Sequence, residues 1–355
     1  MSEPIAATPA GYHAVAKLYN ALMTGLVLSL ISTRGAGDAR RFVFAHFRRQ
    51  HLEKFLPGLK KLGLDHLPPA VACAQYHYFS NALGGVKTRY ARESDRKAWV
   101  RYPPPRWIWQ GTAICAIPPA VNEAMIHGWH GHNGVSLGNP RLGFVCTGET
   151  VNGDAGLEGY YVEYDHDIAP EERVRFAFDE TPPDYDALPE PVLDSASWPK
   201  ERLAKVERSY AMEYVRSLLP VTQDLFGPAD AQAIVARTAR LIGLQFYEDT
   251  ALSLGLAGTD AHGFAHYLAA LAAAQGERVE IARDGADFLV QQQGWRLMDG
   301  VAVAHRDAAF TAWNALWQGA LAARNRDLAL TASFSGAAIT WHVTRRKTKT
   351  GKEQG

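Results

Sequence analysis

The feature that most constrains this chain is a stretch written twice. Residues 35–64, GAGDARRFVFAHFRRQHLEKFLPGLKKLGL, lie without a gap over residues 227–256, GPADAQAIVARTARLIGLQFYEDTALSLGL. Nine of the thirty positions are identical: Gly35/Gly227, Asp38/Asp230, Ala39/Ala231, Val43/Val235, Arg48/Arg240, Leu52/Leu244, Leu62/Leu254, Gly63/Gly255 and Leu64/Leu256. Chance would supply roughly two at ordinary residue frequencies. The register continues with small shifts: His77-Tyr78 meets His266-Tyr267, Arg89 meets Arg278, Gly134 meets Gly319 and Asn139 meets Asn325. The offset drifts downward, as a few loop deletions would produce. Two copies of one sequence plan imply two copies of one fold plan.

Each copy opens on an apolar helix, about 12–32 and about 203–225. A second helix of roughly six turns follows, with Asp38 or Asp230 placed to cap it and Gly63 or Gly255 to end it. The third segment is ambiguous in one copy, where CAQYHYFSN has strand character. Its partner AHGFAHYLAALAAAQG is alanine-rich, so helix is expected for both, over about 70–83 in the first. Next comes a hairpin: VKTRYARES with KAWVRYP around Asp95, and RVEIARD with ADFLVQQQ at Asp284-Gly285. A fourth helix (about 119–133; about 307–323) leads into two closing strands, RLGFVCTGE with GYYVEYD and DLALTASF with AITWHVTR.

Runs of helices separated by hairpins give an α+β fold with antiparallel sheets. The expected architecture is two tandem copies of a helices–β-hairpin–helix–β-hairpin unit, related by a pseudo-twofold axis like a fused homodimer. Residues 1–178 form the first repeat and the expected active-site unit. Residues 179–202, DETPPDYDALPEPVLDSASWPKER, are rich in proline and acid with no hydrophobic period, and read as a linker extended across the surface. Residues 203–345 form the second repeat, read as a degenerate scaffold, and 346–355 a flexible basic tail.

Composition narrows the function classes. Lysine plus arginine balances aspartate plus glutamate at 37 each, so no net charge points to nucleic acid or an anionic membrane. The three cysteines, Cys73, Cys115 and Cys146, form no CxxC pair, which fits a reducing compartment and a cytoplasmic protein. The N-terminal stretch has no charged region ahead of its apolar run and is not read as a secretory signal. Lys17, Asn20 and Thr24 interrupt the apolar stretch 14–32, so it is read as a buried amphipathic helix and not a membrane span. Homo-oligomerisation is left open.

Chemistry concentrates in the first repeat. Three of the thirteen histidines, His127, His130 and His132, fall within six residues. On an unbroken helix Glu123, His127 and His130 would share one face at i, i+4 and i+7, enough to hold zinc, iron or manganese with a position left for water. His132 joins them only if Gly128 and Gly131 loosen the last turn. The bland alternative is a set of helix-end histidines bonded to backbone carbonyls. The second repeat tilts the choice, because its version of this helix, FTAWNALWQGALAARN, has no histidine.

Glu149 is unexpected on an apolar strand and reads as a general base or as the group that orients a histidine. Asn152 and Asp154 beside it are accounted for by a turn. Cys146 reads as a small core residue. In WVRYPPPRWIW, residues 99–109, three prolines stiffen an aromatic loop. That loop can wall a pocket with Trp107, while Arg101 pairs a substrate carboxylate. Trp129, His132 and Asn133 complete the expected substrate contacts. His77 recurs as His266 in the bland copy and is read as structural.

The layout around Gly143-Phe144-Val145, Val151-Asn152-Gly153-Asp154 and Tyr160-Tyr161-Val162 resembles the small-molecule-binding domain of the vinyl-reductase type. The amino-thiazoline-carboxylic acid hydrolase family is similar in outline. Many members place a cysteine after the Gly-Asp; Leu157 and Glu158 stand there in this chain. The resemblance implies binding or hydrolysis of a small cyclic or acidic molecule. The leading expectation is therefore a hydrolase acting on a C–N bond, with His127 and His130 as base and acid or as metal ligands and Glu149 or Glu123 orienting them. The alternative is a sensor or carrier that binds a small molecule without chemistry.

Overall fold

The computed structural model describes residues 3–104, 111–193, 196–256, 258–335 and 338–346. In chain order its elements are β1 (Glu3–Pro4), α1 (Pro9–Arg34), α2 (Ala36–Lys61), α3 (Pro69–Leu83), β2 (Arg89–Ser94), β3 (Lys97–Tyr102), α4 (Pro119–Gly128), α5 (Asn133–Ser136), β4 (Leu142–Gly148), β5 (Leu157–Glu163) and β6 (Val174–Phe176). Then come α6 (Lys200–Phe226), α7 (Pro228–Ser253), α8 (Ala261–Ala274), β7 (Arg278–Asp284), β8 (Asp287–Gln293), α9 (Arg306–Arg324), β9 (Leu328–Ser335) and β10 (Ala338–Arg345).

Glycine sets the corners. Gly35 and Gly227 turn one long helix into the next at φ 87° and 81°, where a Cβ would be strained. They, and not Asp38 or Asp230, are the caps. Asp38 sits a turn inside α2, bonded to Arg34 at 2.8 Å and Arg41 at 3.2 Å. The far ends match expectation. Gly63 and Gly255 are both left-handed at φ 68°. In each turn a leucine N–H reaches back five residues, Leu64 to Leu59 O at 3.0 Å and Leu256 to Ala251 O at 2.9 Å, which satisfies carbonyls the helix leaves open.

The fold is mixed helix and sheet, and its contacts divide it into two compact units. One is Met23–Leu225; the other joins Met1–Leu22 to Phe226–Gly355. Their boundaries differ from those of the sequence repeats. The first fourteen residues of α1 count with the terminal unit, and nearly all of α6, which opens the second repeat, counts with the central one.

In the central unit the sheet runs β2-β3-β5-β4-β6. The pairs are antiparallel except β4 with β6, which is parallel, a departure from the all-antiparallel expectation. Both faces are covered, which leaves every residue of β4 buried. On one face lies α3. On the other Trp99, Val145 and Tyr160 pack with Tyr185, with Ala177 and Leu188 added at the margin. The stretch read as a linker is thus fastened to this sheet. Arg89 grips Glu190 at 2.7 Å and Asp186 at 2.8 Å, and Tyr78 donates to Glu190 at 3.4 Å. Burying an aromatic side chain contributes on the order of 2–3 kcal/mol before entropy is charged against it, so Tyr185 holds the strap down together with these ion pairs and Leu188.

In the terminal unit the order is β1-β7-β8-β10-β9. Strand β10 alternates buried Ile339, Trp341 and Val343 with half-exposed Thr340, His342 and Thr344, the mark of a sheet covered on one face. Trp313 donates to the Tyr19 hydroxyl at 2.8 Å, and that hydroxyl donates to Gln275 at 2.6 Å. Trp341 donates to Asn314 at 2.8 Å. The tryptophans of α9 are core. Helix α1 is long and apolar enough to cross a membrane by composition, and most of its apolar window is buried inside the protein.

Candidate functional site

Helix α4 stops where the sequence reading ran it on. A Cβ on Gly128 would lie 2.7 Å from the Phe44 carbonyl oxygen of α2, so only glycine permits this approach. The backbone then breaks at Trp129 (φ −108°, ψ −69°) and continues as a 3-10 turn over His130–His132 and the short α5. A break at that point rotates His130 off the face carrying Glu123 and His127. The expected Glu123–His127–His130 face does not form. Among the described residues no group of three or more His, Cys, Asp or Glu is placed to hold a metal ion.

The expected site residues separate. His127 is half-buried beside Phe176, ring centroids 6.0 Å apart; burial lowers its pKa, Glu123 opposes that and Arg40 adds to it. Glu149 is fully buried and accepts from Asn122 and, at 3.2 Å, from Asn152. Burial pushes its carboxyl up to about 7, the asparagine bonds oppose this, and Glu123 and Asp154 reinforce it. No hydrogen bond joins it to an imidazole among the described contacts. Cys146 is buried with its thiol pKa raised by burial, an inert core residue.

Arg101 faces the wrong way for the expected role. Successive strand residues alternate faces, so Arg101 and its cross-strand partner Glu158 point away from Tyr102 and Tyr161. The guanidinium pairs with Glu158 at 2.6 Å over the Tyr185 ring, and Tyr185 donates to the same carboxylate at 2.9 Å. It anchors the strap. Trp107 lies outside the described residues.

His130, Trp129, His132 and Asn133 do come together, around residues that no spacing had singled out. His130 stacks on His77 with centroids 4.3 Å apart and rings 19° from parallel. Its Nδ1 meets the Tyr161 hydroxyl at 2.6 Å. The amide of Asn133 donates to that hydroxyl at 2.8 Å and to His77 Nε2 at 3.2 Å. His132 Nδ1 bonds back to the His127 carbonyl at 2.9 Å, the helix-end role of the bland reading.

Proton positions follow from the one group that can only donate. Arg48 bonds His51 Nδ1 at 2.7 Å, so His51 carries its proton on Nε2. Tyr161 takes a hydrogen bond from the Asn133 amide and shares a second with His130 Nδ1.

His77 and His130 stand at the inner end of a cleft in the central unit. The inner chamber, about 50 Å³, is lined by them with Ser80, Asn81, Tyr102 and Met125 among others. It adjoins an outer chamber of about 340 Å³ between α2, α3 and α6, walled by Tyr76, Leu83, Trp129, Val206, Tyr210 and Tyr214, with Trp198 and Lys61 also lining it. Tyr76, Ser80, Trp129, Tyr210 and Tyr214 line both. An apolar cavity of this size closing on a few polar groups is the usual form of a small-molecule site. No family model matches this chain, and neither does any curated protein or solved structure.

Proposed function

We propose that the central unit binds a small apolar molecule in this cleft, and that binding is the protein's function. The observation that carries the reading is the aromatic-walled chamber of about 340 Å³ running inward to the His77–His130 pair. Function of this class is what the resemblance to vinyl-reductase-type domains implies. A test is available at Ser80, half-buried on both chambers. Ser80→Phe fills the passage. It is expected to abolish binding of a neutral apolar fluorophore such as 1-aminoanthracene while thermal unfolding stays within a few degrees of the parent. Unchanged fluorophore binding would remove the cleft from consideration.

A second reading keeps hydrolysis of a C–N bond, moved from His127 and Glu149 to His77 and His130. The stacked imidazoles on the cleft wall favour it: one would take a proton from the attacking water and, as imidazolium, return it to the departing nitrogen. Turnover of small cyclic amides that survives His130→Gln would exclude it.

We also infer that the two units arose by duplication. The repeated sequence, the matched glycine turns and a shared order of four strands (β2-β3-β5-β4 and β7-β8-β10-β9) support this. The free cysteines fit a cytoplasmic setting.

A further inference from the structure

The cleft's rim is charged, and its charges are unevenly paired among the described residues. Of the acids lining the outer chamber, Glu53 is held by Arg49 at 3.0 Å, and Glu213 by Lys54 at 3.0 Å and Arg216 at 3.3 Å. Lys61 lines the same chamber and has no carboxylate within 4 Å among the described residues. Its ammonium stands 5.9 Å from the centroid of the Trp198 ring, which lines the chamber too. Arg202 also approaches that ring, its guanidinium carbon 4.0 Å from the centroid, and has no carboxylate partner among the described residues. Its one described bond is to the Ser197 carbonyl. Two cations with no carboxylate partner among the described residues thus flank one indole that lines the chamber.

Resting on the reading that this cleft binds a small molecule, we propose that its ligand is a free amphiphilic monoanion, whose apolar body lies between Tyr76 and Tyr210 and whose anionic head sits at Trp198 between Lys61 and Arg202. The apolar body accounts for the walls, since burying it releases water from aromatic surface. The head accounts for the rim. An anion there gains two cations without displacing an existing ion pair, whereas a cationic head would meet like charge. Both cations are solvated, so each contributes modestly; together they are worth about tenfold in affinity at low salt. The bound state then has an outward-facing head and an inward-facing tail, with His77 and Ser80 meeting the far end.

Decanoate, decanol and decylammonium share one chain and differ in head charge. Their affinities for the full-length protein are read by displacement of 1-aminoanthracene at low salt. Decanoate is expected to bind about tenfold more tightly than decanol, with decylammonium weakest. Lys61→Gln with Arg202→Gln should erase the decanoate advantage, as should high salt, so that decanoate affinity falls to that of decanol in the same variant. Equal affinity for all three, preference for decylammonium, or a preference that survives the double substitution would each overturn the assignment of the head while leaving the cleft as a binding site. Failure of the fluorophore itself to bind would instead overturn the functional reading on which this one rests. A vesicle assay separates the remaining source of an anionic head. Association with phosphatidylglycerol vesicles that needs Lys61 and Arg202, without decanoate binding, would make the rim a membrane contact and overturn the proposal.

Discussion

His46 has both ring nitrogens buried with no hydrogen-bond partner among the described residues, packed between Phe42, Phe47 and Tyr214. Burial, with Arg49 adding to it, holds its pKa down at about 3; His51 is likewise held at about 3, by burial first and then by Arg48. The unfolded chain titrates these groups near 6.5. Because the folded values are depressed, the neutral rings contribute fully above about pH 6.5, and that contribution is lost as pH falls toward 3. At pH 5 the loss is roughly 2 kcal/mol per histidine. His46→Phe, which sacrifices no described hydrogen bond, is expected to flatten that acid limb by about half in urea unfolding at pH 7 and pH 5. A parallel loss in parent and variant would show that His46 is not held neutral. Glu149 slopes the other way. With its carboxyl raised to about 7, its stabilising neutral form fades as pH rises from about 4.5 through 7. Neither histidine of α2 was legible beforehand, for each stood alone on a helix with no partner in sequence. His77 was visible and discounted, because it recurs as His266. The recurrence held only in sequence: His77 is buried on His130, while His266 sits half-buried beside an exposed His262 at 2.9 Å.

At the scale of elements, the break in α4 decides which side chains meet. Gly128→Ala would push a methyl group against the Phe44 carbonyl, a backbone atom that cannot swing aside. The expected cost is about 1–3 kcal/mol, read as a lower unfolding midpoint, with weaker 1-aminoanthracene binding because Trp129 and His130 follow directly. A midpoint equal to the parent's would mean that α2 and α4 are farther apart than described. Helix period was enough to find α4 and too coarse to find its end, since the reason for stopping lies on another helix. The strands show the same limit. Hairpins, turns and alternation were legible in the β2–β3 and β7–β8 segments, yet the alternation that sends Arg101 away from Tyr161 acquires meaning only once Arg101 is registered opposite Glu158. Arg101 and Glu149 looked like site residues because charge on an apolar strand is conspicuous. Both are conspicuous for structural reasons, one under a strap and one beneath asparagine donors.

At the scale of the whole chain, the terminal unit is not one continuous segment. Tyr19 of α1 supplies the hydroxyl that Trp313 and Gln275 share, and β1 pairs with β7 at the sheet edge. A fragment spanning 203–345, one full sequence repeat, therefore lacks part of the terminal core. It is expected to give helical far-ultraviolet dichroism without dispersed amide resonances. Joining residues 1–22 to the N-terminus of 226–346 through a flexible linker should restore dispersion. If the plain repeat fragment gives a dispersed spectrum unaided, the N-terminal segment is dispensable and the division of the chain is wrong.

Sequence alone determined the local pieces: the helices, their glycine ends at Gly63 and Gly255, hairpins, and a histidine cluster at the end of the fourth helix in one half only. These depend on backbone freedom and side-chain period, which neighbouring residues settle among themselves. Tertiary structure alone decided which helix serves which unit, which face of a strand is inside, and that His130 answers to His77, Tyr161 and Asn133 while His127 and Glu149 are elsewhere. Those outcomes depend on close approaches between segments far apart along the chain, such as Gly128 against Phe44, and no local pattern encodes a distance of that kind.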